Sequence, residues 1–245
     1  MKSILVADNR SNLLATLDPI LKHWGYRVLS TRKADQVMAF LQERTPCLLI
    51  IGEGLLTNPS LALDPVTKER IASGELPCLV LKQDGAEIAE LNPSETIEVP
   101  VELFELYSFI QRQVEKHPRQ NLRLRLKLPG MYSVGEEDFI LADVLNLSMQ
   151  GLFFKAPTRI KREDRITVVF PLLGQGKEIE VKATVLYTIQ PEAGNNFFQG
   201  FGVGFDDLPE GQKEDLKLFI REHFLREVSA NRNGVGNFTV EQLKG

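Results

Sequence analysis

The sequence predicts a chain of two unlike halves: an α/β doubly wound parallel sheet, then an antiparallel β-barrel closed by a C-terminal α-helix. Three observations carry this. Up to about residue 115, short apolar runs alternate with amphipathic helical stretches, the pattern of a parallel sheet with helices on both faces. After Pro118 the apolar residues recur with period two, as in half-buried strands. Between the two lies residues 116–128, with five basic residues and no acidic one. At 245 residues the chain is long enough for two ordinary domains. The reading is residues 1–115 for the first, 116–228 for the second, and 229–245 for a mobile tail.

In the first half, residues 4–7 form a short apolar strand closed by Asp8 and Asn9. A helix follows over 11–23 with Leu13, Leu14, Leu17, Ile20 and Leu21 on one face; Pro19 inside it should bend or shorten it. Gly25 ends that helix and residues 26–30 read as a second strand. A second helix over 33–44 buries Val37, Met38, Phe40 and Leu41. Pro46 introduces residues 48–51, the most apolar run in the chain and a natural central strand. Residues 79–81 and 96–99 supply two further strands, and 103–114 a closing helix. The loop 54–74 holds a short helical candidate at 65–71, and its residues point to no chemistry.

In the second half, Leu122, Leu124, Leu126 and Leu128 alternate with Arg123, Arg125 and Lys127, giving a strand with a basic outer face. Further strands are read at 139–145, 151–155, 165–172, 178–190 and 197–205. Gly174 and Gly176 make a hairpin turn. Along the fifth strand Ile179, Val181, Ala183, Val185 and Tyr187 are expected to face one way. Gly200, Gly202 and Gly204 leave one face of the last strand bare, which suits a tight bend or the close approach of another element. Strands at this spacing without intervening helices predict a closed or nearly closed barrel. Pro209 then opens a helix to about 228, with Leu216, Phe219, Ile220, Phe224 and Leu225 as its apolar stripe. Residues 238–243 are a candidate docking segment in the tail.

Composition narrows the function. The net charge is −4, and neither half is basic enough for wholesale nucleic-acid binding. The positive charge is concentrated around 116–128, which favours a small anionic ligand. Cys47 and Cys78 lie in apolar runs and read as buried free thiols of a reducing compartment. The N-terminal apolar run is too short for a signal peptide or a membrane span, so a cytoplasmic location with no membrane association is expected. His23, His117 and His223 are scattered, and no nucleophile–base pattern or metal-ligand spacing occurs. The chain is therefore read as non-enzymatic, with no cofactor and no metal.

Residues 1–115 resemble the receiver domain of response regulators: an apolar strand ending in Asp8, a Gly25-Tyr26 entry to strand two, and a strand after Pro46. The resemblance implies phosphoryl chemistry that this sequence lacks. Gly52 stands at the nucleophile position, and Glu53 is one residue out of register. Lys82 stands where a Thr or Ser belongs, and Val99 precedes Pro100 where a Lys belongs. An acyl phosphate cannot form on glycine, and one carboxylate is a weak Mg²⁺ site. This half is expected to be a degenerate receiver used for docking or dimerisation, with a homodimer possible.

Arg119-x-x-x-Arg123 and, further on, Asn146-x-Ser148-x-x-Gly151 resemble in order and spacing the signature of the PilZ domain, over about residues 117–228. That resemblance implies binding of cyclic di-GMP through Arg119, Arg123, Asn146, Ser148 and Gly151. The chemistry is sound: a guanidinium fork pairs with phosphate oxygens or guanine O6 and N7 and stacks on a base. Taken singly, each motif has a plainer reading: an Asx or Ser turn satisfying its own backbone, and solvated arginines. Arg125, Lys127 and the cluster Arg159, Lys161, Arg162 and Arg165 are read as solvated surface. The expectation is a cyclic di-GMP-binding regulatory protein that signals to an unidentified protein partner, DNA contact being the remote case. The alternative is a ligand-independent interaction adaptor.

Overall fold

The computed structural model describes residues 1–83, 91–135, 137–157 and 160–230. The tail from 231, with the 238–243 segment, and Arg159 of the basic cluster lie outside these. The chain divides into two compact units. One comprises residues 1–120 and, among those described, 225–230; the other is 121–224.

The first unit begins β1 (Ser3–Ala7), α1 (Ser11–His23), β2 (Arg27–Thr31), α2 (Ala34–Arg44) and β3 (Leu48–Gly52). It continues with α3 (Glu53–Leu56), α4 (Pro65–Ala72), β4 (Cys78–Lys82), β5 (Glu95–Glu98) and α5 (Leu103–Val114). All strand pairs are parallel, in the order β2-β1-β3-β4-β5, the doubly wound arrangement of flavodoxin-like sheets. Alternation along β3 feeds two cores. Leu48 and Ile50 join Leu13, Leu17, Leu106 and Phe109 on one face, while Leu49 and Ile51 join Val37, Leu41 and Ile71 on the other. Met38 and Phe40, expected to be buried, are only partly so. Helix α1 runs through Pro19 without shortening; its buried leucine stripe outweighs the local conflict. Asp64 caps α4, its Oδ1 accepting from the Thr67 N–H at 2.6 Å, with Pro65 at the first helical position. Trp24, which closes α1, packs edge-on against Tyr107 of α5 with ring centroids 5.1 Å apart.

The second unit holds β6 (Leu124–Val134), β7 (Ile140–Ser148), β8 (Gly151–Lys155), β9 (Arg165–Leu172), β10 (Lys177–Ile189) and β11 (Gly200–Phe205). These six close into an antiparallel barrel in the order β10-β11-β8-β7-β6-β9. Tyr132, Phe154 and Phe201 fill its centre, Tyr132 lying edge-on to Phe201 at 5.0 Å. Helix α6 (Glu210–Ala230) follows, with Leu216, Phe219, Ile220, Phe224 and Leu225 all buried.

Two local departures from the expected pattern matter. Tyr187 does not face with Val185: the register shifts between them, and the extra residue of this bulge turns Tyr187 to the outer face, where it is 45% exposed. The last strand starts at Gly200 rather than 197, because Asn196 and Phe197 both adopt left-handed backbone (φ 54° and 56°), which breaks an extended ladder.

Candidate functional site

The ladder between β6 and β7 sets Leu124 opposite Leu147 and Arg125 opposite Asn146. Arg123 immediately precedes β6, just outside this ladder, and Ser148 ends β7. Residues directly opposite in an antiparallel pair project to the same side. Arg125, Asn146 and Ser148 therefore share the outer face of the barrel, while Leu124 and Leu147 are buried on the opposite side. Arg123 and Arg125 are exposed, and Asn146 and Ser148 are half-buried. Lys127 leans to Asp143 at 3.4 Å, a surface pair of little energetic weight.

Two of the motif residues also have structural duties. Ser148 Oγ donates to the Gly151 carbonyl at 3.0 Å, closing the turn between β7 and β8. A Cβ on Gly151 would overlap the Val203 carbonyl oxygen of β11, so this glycine is required by the approach of β8 to β11. Arg119 belongs to the first unit. Its side chain is exposed, and its backbone N–H donates to Oε1 of Gln111 at 3.0 Å.

The outer face holds more than the motifs. Asn146 pairs across to Phe153, Phe153 to Gly202, and Gly202 to Tyr187. Phe153 stacks on Phe198 (5.7 Å, 11°) and on Tyr187 (6.1 Å, 25°). The bare side of β11 is thus covered by its neighbours: a Cβ at Gly200 would overlap the Phe153 ring, and one at Gly202 the Tyr187 ring. Sequence reasoning put Arg125 on this outer face as a solvated charge outside the motif, and assigned Phe153 no part in it. The bulge at β10 hides Tyr187 from the sequence pattern.

In the first unit the position matching a phosphoacceptor is filled. Asp8 is wholly buried and accepts from Arg10 three times: at Oδ1 from the backbone N–H (2.8 Å) and Nε (2.9 Å), and at Oδ2 from Nη2 (2.6 Å). A Cβ on Gly52 would overlap Asp8 Oδ2. Glu53 Oε2 instead accepts from the Gln83 N–H at 3.1 Å. A guanidinium thus sits where a divalent cation would need to reach the carboxylate. Treating the chain with a small phosphodonor and Mg²⁺ is expected to leave its intact mass unchanged, and Gly52→Asp is expected not to restore phosphorylation. A mass gain of one phosphoryl group on the first unit would show this account to be wrong.

Both cysteines are free. Burial pushes the Cys78 thiol up to about 12, and burial also raises that of Cys47. Among the described residues no group of His, Cys, Asp and Glu has the arrangement to hold a metal ion. No described helix is long and apolar enough to cross a membrane.

The chain holds a receiver-like α/β unit and a barrel whose outer face carries an exposed arginine beside a half-buried asparagine and serine. The family model described as the PilZ domain matches residues 113–222, so the barrel is a PilZ domain. Solved structures similar to the chain include the MrkH–c-di-GMP complex of K. pneumonia, at 16% identity and a TM-score of 0.41, covering 46% of this chain and 55% of that one. Another is the PilZ domain of YcgR from Escherichia coli with c-di-GMP, at 14% identity and 0.39, covering 48% and 98%. A third is the signal receiver domain of an HD domain-containing protein from Pseudomonas fluorescens Pf-5, at 21% identity and 0.39, covering 46% and 94%. The match thus spans about half the length of the MrkH chain. No curated protein sequence matches this chain.

Proposed function

We propose that the chain is a cyclic di-GMP receptor. The observation that supports this is that, within the residues matched as a PilZ domain, one outer barrel face holds Arg125, Asn146 and Ser148, and the exposed Arg123 directly precedes that face's first strand. Arg119 and Arg123 supply the guanidinium forks for phosphate oxygens and guanine edges, and Asn146 and Ser148 the short polar contacts. Gly151 serves this site by letting β8 lie against β11. Arg125 stands opposite Asn146 and adds a third cation for the phosphates. Ligand orders the 119–123 segment and changes the arrangement of the two domains, and a protein partner reads that change.

The test is calorimetric titration of the full chain with cyclic di-GMP, with GMP as the control. Micromolar binding of the cyclic dinucleotide alone is expected. No heat at millimolar ligand would overturn the reading and leave a ligand-independent adaptor.

A further inference from the structure

Resting on that reading, we infer that Gln111 of α5, held by Tyr26 and Glu115, is a positioning residue for the ligand arginine Arg119. The observations are a chain of four polar contacts inside the first unit. Lys2 Nζ donates to Glu115 Oε2 at 2.8 Å. Tyr26 Oη donates to Glu115 Oε1 at 2.9 Å. Gln111 Nε2 donates to Tyr26 Oη at 3.2 Å, and Gln111 Oε1 accepts the Arg119 N–H at 3.0 Å.

The direction of each bond is constrained. Burial and the bond to Glu115 push the Tyr26 hydroxyl well above the ordinary phenol range, while the bond to Lys2 holds the Glu115 carboxyl below the ordinary carboxylate range. At neutral pH this leaves a phenol O–H to donate and a carboxylate to accept. With its proton given to Glu115, the Tyr26 oxygen accepts from the Gln111 amide nitrogen. The amide oxygen then points to Arg119; reversing the amide would set N–H against N–H.

Gln111 and Tyr26 are only 8% and 4% exposed. A buried amide is costly unless both ends are satisfied, and here one end is satisfied by the backbone of Arg119 itself. Arg119 lies five residues beyond the end of α5, in a stretch of bends rather than helix or strand. Fixing its backbone before ligand arrives removes part of the ordering cost of binding. What remains for the ligand to order is the Arg119 side chain and the residues that follow it. The receiver-like unit thereby gains a role that needs no phosphoryl chemistry: it is the anchor of one ligand arginine.

The experiment combines titration with amide hydrogen exchange on the full chain. Gln111→Met is expected to weaken cyclic di-GMP binding about three- to tenfold and to remove the exchange protection of the Arg119 amide in the ligand-free protein. Tyr26→Phe, which keeps the ring and drops the hydroxyl, is expected to do the same to a smaller degree. In an Arg119→Ala background, Gln111→Met is expected to weaken binding no further, because its effect runs through Arg119. Equal weakening in both backgrounds, or an Arg119 amide that exchanges alike in wild type and Gln111→Met, would overturn the inference. A wild-type chain that binds no cyclic di-GMP overturns the functional reading instead, and the exchange measurement still decides whether Gln111 holds Arg119.

Discussion

Arg123→Ala is expected to remove cyclic di-GMP binding from calorimetric detection while leaving the melting temperature of the barrel unchanged. The side chain is exposed, so its removal opens no cavity. What is lost is a planar, permanently charged fork, worth about 1–3 kcal/mol in a bidentate contact, or roughly 5- to 150-fold in Kd. Loss of a neighbouring cation across two phosphodiesters adds to this. Arg123→Lys separates the two contributions: it keeps the charge and forfeits the fork, so it is expected to recover only a small part of the affinity. Wild-type affinity in the alanine variant would exclude Arg123 from the site. Equal affinity of the lysine and arginine forms would reduce its role to that of a point charge.

Gly151→Ala is expected to destabilise the barrel by about 3 kcal/mol, at the upper end of the usual overpacking range. For a unit of this size that is a fall in Tm on the order of 15 °C. The added methyl meets the Val203 carbonyl, and the backbone of β11 has to move to admit it. Gly211→Ala is the control: its Cβ meets nothing within 4 Å, and it lies in the first turn of α6. That change is expected to leave stability unchanged or raise it by up to about 1 kcal/mol. Thermal unfolding of both variants decides the matter, and a Gly151→Ala protein as stable as wild type would show that β8 and β11 can separate freely. Because Gly151→Ala acts on the barrel, its loss of ligand affinity is expected to track its loss of folded protein, unlike that of Arg123→Ala.

Much of the fold was legible because period and punctuation agreed. The apolar run 48–51 became a strand buried along its whole length, and of the period-two leucines Leu122, Leu124 and Leu128 are buried, while Leu126 is only partly so where the β6–β7 register shifts. What escaped was set by contacts distant in sequence. The short helix α3 has four residues, too few for a helical period to declare itself. Tyr187 was misplaced because a one-residue bulge reverses every later side chain, and nothing in a run of β-forming residues marks it. At the candidate site, the two motifs were readable from spacing. That Arg125 joins Asn146, and that Gly151 serves strand packing, follow only from the register of β6, β7, β8 and β11. The Arg10–Asp8 pair was missed for a simpler reason: an arginine two residues from an aspartate gives no sign in sequence of whether it turns inward.

The packing of Trp24 against Tyr107 gives the chain an optical asymmetry. It is the one tryptophan in 245 residues. It lies in the receiver-like unit and packs on α5, the helix that carries Tyr107 and ends one residue before Glu115, the carboxylate partner of Tyr26. Light absorbed by tryptophan alone therefore reports on the first unit, while the tyrosines and phenylalanines of the barrel stay dark under it. Emission from the natural chain follows the anchor of Arg119 rather than the face where ligand is proposed to sit, with no label added.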